Sequence, residues 1–343
     1  MQKKEGLLHQ LLIPLDERVY PVKLLLRVWG PRLEFFVRLI LVATFLDDSF
    51  RTAMHFSEHT KQVGEEGCLQ GMAEASPELV NTLATVALAI GLLAQSLGSV
   101  CLLALLAPHG AITALIGWAV AQPVLYAQLT NVEFVARSLS LTGGLLLLRA
   151  HIVSEQAKRD PISAGGQGAP NGADRATIAR TQLLGRLMLP SVYLYHAGLL
   201  LLSIFVQTFS MFVVNTAVLV GLAIGCALIA AGLKSRTVAL SLAVANIIYL
   251  CYQHPFFRFV WFEGGEWIYD ETELRKSMPH VALPADVSPQ DFELWQIYDL
   301  HRYYFFQRLS TSGALLLLAQ FGPGEIAVEE DESLLPLVQR AQD

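Results

Sequence analysis

The chain has 343 residues, 53% of them hydrophobic and 16% charged, with a mean hydropathy of +0.45. A soluble domain usually carries about 25% charged residues, so a soluble enzyme, a nucleic-acid-binding domain and a β-barrel porin are all disfavoured. The formal net charge of −6 matters less than the side of a membrane that each charge faces.

In chain order, residues 1–32 come first. Leu7–Trp29 reads as a basic amphipathic segment lying on a membrane surface, with Arg18, Lys23 and Arg27 among its charges. No apolar run leads to a small-residue cleavage site, so the first crossing is expected to act as its own insertion signal. Leu79–Val132 and Leu187–Leu233 then contain no Asp, Glu, Lys or Arg. About 20 apolar residues cross a bilayer, so each block is long enough for two crossings. Pro108-His109-Gly110 breaks the first block, and the polar residues of 207–210 turn the second. The expected helices run over 33–56, 79–107, 110–128, 132–150, 183–206, 210–232, 236–256 and 302–321.

The loops alternate in charge. Residues 1–38 hold seven bases and four acids, 149–186 six and three, and Lys234 with Arg236 occupy an acid-free turn. By contrast, 52–78 has one base against five acids, and 256–300 three against nine. The excess of Lys and Arg assigns the basic loops and both termini to the cytoplasm, including the acidic tail 322–343. The linker 151–182 is rich in glycine and reads as flexible.

The chain also repeats itself. SLSLTGGLLLL at 138–148 and RLSTSGALLLL at 308–318 are identical at seven of eleven positions. Leu88-Ala89-Ile90-Gly91 with Gly98 recurs as Leu222-Ala223-Ile224-Gly225 with Gly232, and Arg38-Leu39 and Arg186-Leu187 open the two halves. The expected fold is therefore all-α: a polytopic membrane helical bundle of about eight transmembrane helices, built as two parallel four-helix repeats over 33–150 and 183–321. Close backbone contact drives helix association in lipid, so Gly221 with Gly225, Gly143-Gly144 and Gly313-Ala314 mark candidate packing faces.

Nothing reads as catalytic: there is no glycine-rich phosphate loop, no HExxH and no GxSxG, and no enzyme, metal or cofactor is expected. The four cysteines have no metal-ligand spacing. Cys101 and Cys226 read as packing residues, and a Cys68–Cys251 disulfide is left open. His196 is placed well inside a helix, and no facing histidine pair that could hold a haem can be assigned.

The candidate binding residues are ionisable groups at helix ends. Asp47, Asp48 and Arg51 close the first helix. Asp47 and Arg51 are four apart, so they share a face and can pair. Glu133 and Arg137 share a face at the start of the fourth helix. Charge at membrane depth is costly and often functional, although snorkelling or helix anchoring explains it equally well. The 256–301 loop adds Trp261, Trp267 and Trp295 among its acids. That density predicts short interfacial helices, which serve either as a lid or as a partner surface.

ATFLDDSFR at 43–51, EFVARSLSLTGGLLLL at 133–148, LLGRLML at 183–189, GLKSRTVAL at 232–240 and YFFQRLSTSGALLLLAQFGPG at 304–324 occur in this order. Together they resemble the surfeit locus protein 4 family, the endoplasmic reticulum cargo receptors, over about 33–325. The resemblance implies a receptor cycling between endoplasmic reticulum and early Golgi. Its luminal side would capture soluble secretory cargo by a short N-terminal tripeptide, and its cytoplasmic side would engage the COPII and COPI coats. Membrane lipids are the other expected partners, nucleic acid is not one, and assembly into a homo-oligomer is left open. Acids at 47, 48 and 133 and the loop aromatics would then serve the cargo's free amine and the apolar side chains after it. The chain departs from the family in ending Gln339-Arg340-Ala341-Gln342-Asp343 where a dilysine retrieval signal is usual. The competing readings are a transporter or lipid scramblase-type protein and, by analogy with DoxX-like proteins, a membrane subunit of a quinone-linked enzyme.

Overall fold

A computed structural model describes residues 30–73, 76–159, 172–203, 208–277 and 293–328. The amphipathic segment Leu7–Trp29, the glycine-rich centre of the linker and the tail from Glu329 lie outside them. Among the described residues the helices run in order α1 (Gly30–Met54), α2 (Phe56–Glu65), α3 (Gln70–Ala73), α4 (Pro77–Leu103), α5 (Pro108–Leu125), α6 (Val132–Arg159), α7 (Gly172–Met188), α8 (Ser191–Ser203), α9 (Phe209–Ala231) and α10 (Ser235–Gln253). A 3₁₀ turn (Phe256–Arg258), the strands β1 (Val260–Glu263) and β2 (Glu266–Tyr269), α11 (Glu271–Lys276) and α12 (Leu294–Phe321) complete the chain.

Local chemistry sets these limits. Pro77 and Pro108 stand in the first turns of α4 and α5, where a missing N–H costs nothing. Gly232 closes α9 at φ +75, a left-handed cap that favours glycine. Pro190 separates α7 from α8 because its ring and missing N–H interrupt the ladder. The crossing expected over 183–206 is therefore two helices, and the first of them reaches back to Gly172 inside the supposed linker. At the other side of the linker α6 continues to Arg159.

Three helical stretches, Pro77–Leu103, Phe209–Ala231 and Ser235–Arg258, are long and apolar enough to cross a membrane by length and composition. Their outer faces suit hydrocarbon. Ile90 is 62% exposed and Phe209 83%, while α9 buries only Gly225, Cys226 and Ile229. Because the backbone polar groups of these helices are satisfied internally, apolar side chains facing outward meet lipid at no cost. The protein is an all-α membrane protein.

Contacts between helix ends gather in two groups. At one end Cys68 N–H donates to Leu125 O (3.1 Å), and Arg51 of α1 meets Asp299 of α12. At the other, Arg186 donates to Pro323 O (2.7 Å) and Ile326 O (2.5 Å), and Val328 N–H reaches Ala231 O. Helix α12 is central, packing on α1, α6 and α10. Its core layer joins Leu315 and Leu318 to Leu41, Leu145 and Leu148, all essentially without exposure.

Close backbone approach fixes two of the crossings. A Cβ on Gly143 would lie 2.7 Å from Leu189 N and Gly185 O, and one on Gly313 would lie 2.7 Å from Leu41 N. Beside these contacts, Ser140 Oγ donates to Leu189 O (2.7 Å) and Thr44 N–H donates to Ser310 Oγ (3.0 Å). Gly221 departs from expectation. Nothing lies within 4 Å of a Cβ there, and Gly225 meets only Val238 and Leu242 at ordinary contact distance. That pair forms no tight helix crossing within the chain.

The 256–301 region is also corrected. Among its described residues it forms a two-stranded hairpin between a 3₁₀ turn and the short helix α11, followed by the first turns of α12, where short interfacial helices alone were expected. Val260-Trp261-Phe262-Glu263 pairs with Glu266-Trp267-Ile268-Tyr269 across Gly264-Gly265, both at positive φ as a two-residue hairpin turn requires. The last helix begins at Leu294 instead of 302, held by a reciprocal capping box between Glu293 and Gln296. All four cysteines are free thiols, so Cys68 and Cys251 do not pair.

Candidate functional site

At the end of α1, one turn carries Asp47, Asp48 and Arg51, and α12 presents Asp299 and Arg302 opposite. Asp47 and Arg51 share a helix but do not pair. Arg302 takes Asp47, with Nη2 at 2.5 Å and Nε at 2.6 Å from Oδ1. Arg51 turns instead to Asp48 Oδ1 (2.8 Å) and Asp299 Oδ2 (3.3 Å). Asp48 is also held by Gln122 Nε2 of α5 at 3.1 Å. The cause is reach: Arg302 approaches Asp47 directly from the neighbouring helix, which leaves Arg51 free for acids on its other side. Asp47 is 6% exposed and Asp48 7%, so both carboxylates depend on these donors. Arg51 lies over the Tyr303 ring at 5.0 Å, and Arg302 lies over Phe50 at 5.0 Å.

The second expected pair forms. Arg137 binds Glu133 one turn back on α6, and its guanidinium covers the Tyr304 ring at 4.2 Å. Tyr195 Oη approaches the other oxygen of Glu133 at 3.5 Å.

These groups border two adjoining cavities. An inner one of about 260 Å³ is lined by Arg51, Gln122, Tyr126, Glu133, Arg137 and Tyr303, with Gln62, Gln128 and Asn131 adding amides. An outer one of about 660 Å³ is lined by Glu58, Glu65, Glu66 and Asp299 against Lys61 and Arg51. Arg51, His59, Gln62 and Leu300 border both. The outer wall includes Trp295, whose indole stacks on His55 with centroids 4.8 Å apart and planes 6° from parallel. His59 Nδ1 faces Tyr126 Oη at 3.1 Å. Burial, reinforced by the Arg51 charge, holds this imidazole below its ordinary pKa. The two cavities together form a cleft, one part acidic and the other rich in amides and tyrosines.

Of the residues singled out from sequence, Arg51, Glu133, Arg137 and Trp295 border the cleft, while Asp48 supports it through Arg51 and Gln122. Asp47 ties α1 to α12 beneath it. Trp261 lies on the hairpin, where its indole N–H meets Glu263 (3.2 Å), and it borders neither cavity. Trp267 lies on β2 opposite Phe262 in the register. Asp299, Arg302, Gln122 and His59 escaped sequence reading. Asp299 and Arg302 stand at i and i+3 on one helix, as Asp48 and Arg51 do, and that matched pair of spacings was the available signal.

Histidines are also more closely grouped than the spacing implied. His151 and His301, like His196, lie inside helices, and His254 Nδ1 meets His301 Nδ1 at 3.3 Å, with Ser277 Oγ on the far nitrogen of His301 at 3.2 Å. A pair in direct contact leaves no room for a macrocycle between the rings.

A family model described as the SURF4 family matches residues 23–261, from before α1 to the first residues of β1, and includes most of the cleft's residues. No solved structure matches the chain.

Proposed function

Because the chain belongs to the SURF4 family, we propose that it is an endoplasmic reticulum to Golgi cargo receptor. In this reading it binds soluble secretory proteins at the cleft and links them to COPII vesicles on the opposite face. The observation that carries the reading is the convergence of charged groups from α1, α6 and α12 on one cleft of peptide-binding size. Four carboxylates against two cations in the outer cavity suit a free amino terminus. The amides and tyrosines behind them suit the backbone and side chains of the residues that follow.

The orientation proposed is cleft to lumen and both termini to cytosol. Its support is the charge of the loops: 52–78 and 256–300, which flank the cleft, are the acidic ones. We further read the architecture as eight crossings in two parallel repeats. The contacts of Gly143 with Leu189 N and of Gly313 with Leu41 N support that reading, since the two glycines are equivalent in the aligned segments and each touches the opening helix of the other half.

Asp47 and Asp48 are bound up in structural ion pairs, so the informative substitutions are at the rim. Glu65→Gln with Glu66→Gln lowers crosslinking of signal-cleaved secretory proteins to the receptor several-fold, at unchanged receptor abundance. Unchanged capture refutes the cleft as the cargo site.

A further inference from the structure

His55 is the single residue between α1 and α2, and its φ −115 and ψ 37 leave the helical range. The break sets its ring against the first turn of α12. There it covers the Trp295 indole, with centroids 4.8 Å apart and planes 6° from parallel. The same ring holds Nδ1 at 3.4 Å from Glu58 Oε2, one turn on along α2. Trp295 is fixed in turn by its indole N–H, which donates to Glu293. The His55 and Glu58 side chains keep 34% and 63% of their surface, so solvent and ligands reach both.

The acids of this cavity are not equivalent. Among the described residues, Asp299 is paired with Arg51 of α1 and Glu65 with Lys61 at 3.8 Å. Both of those cations keep their charge at any physiological pH. Glu58 has His55 alone as an ion-pair partner among the described residues. The remaining groups around His55 are His59 and Glu66 on α2 and Glu293 on α12. An aromatic face beside a carboxylate receives an ammonium well, the ring by cation–π attraction and the acid by a charge-assisted hydrogen bond. His55 lies on both, and a flat stack leaves no room for a second group on that face of the indole.

Resting on the cargo reading above, we propose that Glu58 and Trp295 seat the incoming amine and that His55 is a built-in stand-in for it, displaced near neutral pH and held in place by acid. Histidine changes charge between pH 5 and 8. Neutral, the ring offers Glu58 no charge and gives way to an ammonium that does. Protonated, it offers that charge from within the chain and pays no cost of bringing in a second molecule. Cargo captured near neutrality is therefore let go as the pH falls.

The test uses the purified full-length protein in detergent and mixed-sequence decapeptides with free amino termini, labelled at their C-termini and followed by fluorescence anisotropy. Apparent Kd rises roughly fivefold or more between pH 7.5 and 5.5. His55→Gln flattens that profile and binds at pH 5.5 as tightly as at 7.5, whereas Glu58→Gln weakens binding at both. A protonated imidazole quenches a stacked indole, so acid also lowers the intrinsic fluorescence of the peptide-free protein, and less so in His55→Gln. A pH response of binding that survives in His55→Gln, or quenching equal in the two proteins, overturns the inference and leaves the cleft as the cargo site. Peptides that bind no better than their N-acetylated counterparts overturn the amine reading itself, and the inference with it.

Discussion

Asp47 shows how a residue can be picked out correctly and assigned the wrong partner. Sequence spacing put Arg51 on its helix face, but the short separation from Arg302 of α12 makes the inter-helix pair the closer one. An acid this buried is stabilised only while its counter-charge is present, and breaking a buried pair by removing one partner costs about 3–5 kcal/mol. Arg302 keeps some solvent access, so Asp47→Asn is expected to cost somewhat less, about 2–3 kcal/mol. Chemical or thermal unfolding of the purified protein measures this loss. The double variant Asp47→Leu with Arg302→Met recovers most of it, because neither charge is then stranded. If the double variant is as unstable as the single one, the pair is not what holds these helices. Partners across 255 residues of sequence were beyond any argument from spacing, whereas Glu133 and Arg137, one turn apart on α6, were legible because helix geometry alone brings them together.

At the scale of elements, charge-free stretches and prolines gave the helices, and the hairpin was overlooked. Its signal was present: Gly264-Gly265 between Val260-Trp261-Phe262-Glu263 and Glu266-Trp267-Ile268-Tyr269 is a two-residue turn flanked by strand formers. The density of aromatics and acids points instead to short interfacial helices, but the local turn chemistry is the more specific signal. The glycines divide similarly. Gly143 and Gly313 stand against backbone that cannot move aside, whereas Gly221 faces open space, and sequence could not tell them apart because a small residue looks the same whether or not a helix lies beside it. Gly143→Leu and Gly313→Leu therefore force α6 from α7 and α12 from α1. Overpacking costs typically 1–3 kcal/mol and more against backbone, so both variants lose folded protein in detergent, read as a collapse of the monodisperse peak in size-exclusion chromatography. Gly221→Leu leaves that peak unchanged. A tolerant Gly143→Leu, or an intolerant Gly221→Leu, contradicts the packing described.

For the whole molecule, the decisive quantity is which end of the bundle faces the lumen. The cleft lies where α1 and α5 end and α6 and α12 begin, and the same end carries the hairpin. The opposite end carries the α9–α10 turn with Lys234 and Arg236, and the segment after α12 that Arg186 and Arg236 pin through backbone carbonyls. Bases near a crossing resist translocation while acids contribute little, so the orientation proposed has the second end in the cytosol and the cleft in the lumen. An Asn-X-Thr glycosylation acceptor inserted between Gly264 and Gly265 sits at the exposed hairpin tip, where extra residues disturb no core contact. Expressed with microsomes, that variant gains a glycan, seen as a mass shift removed by endoglycosidase. The same acceptor inserted between Leu233 and Lys234 gains none. The reverse pattern would put the acidic cavity in the cytosol, where secretory proteins never present a processed amino terminus, and the receptor reading would fail however well the cleft binds peptides.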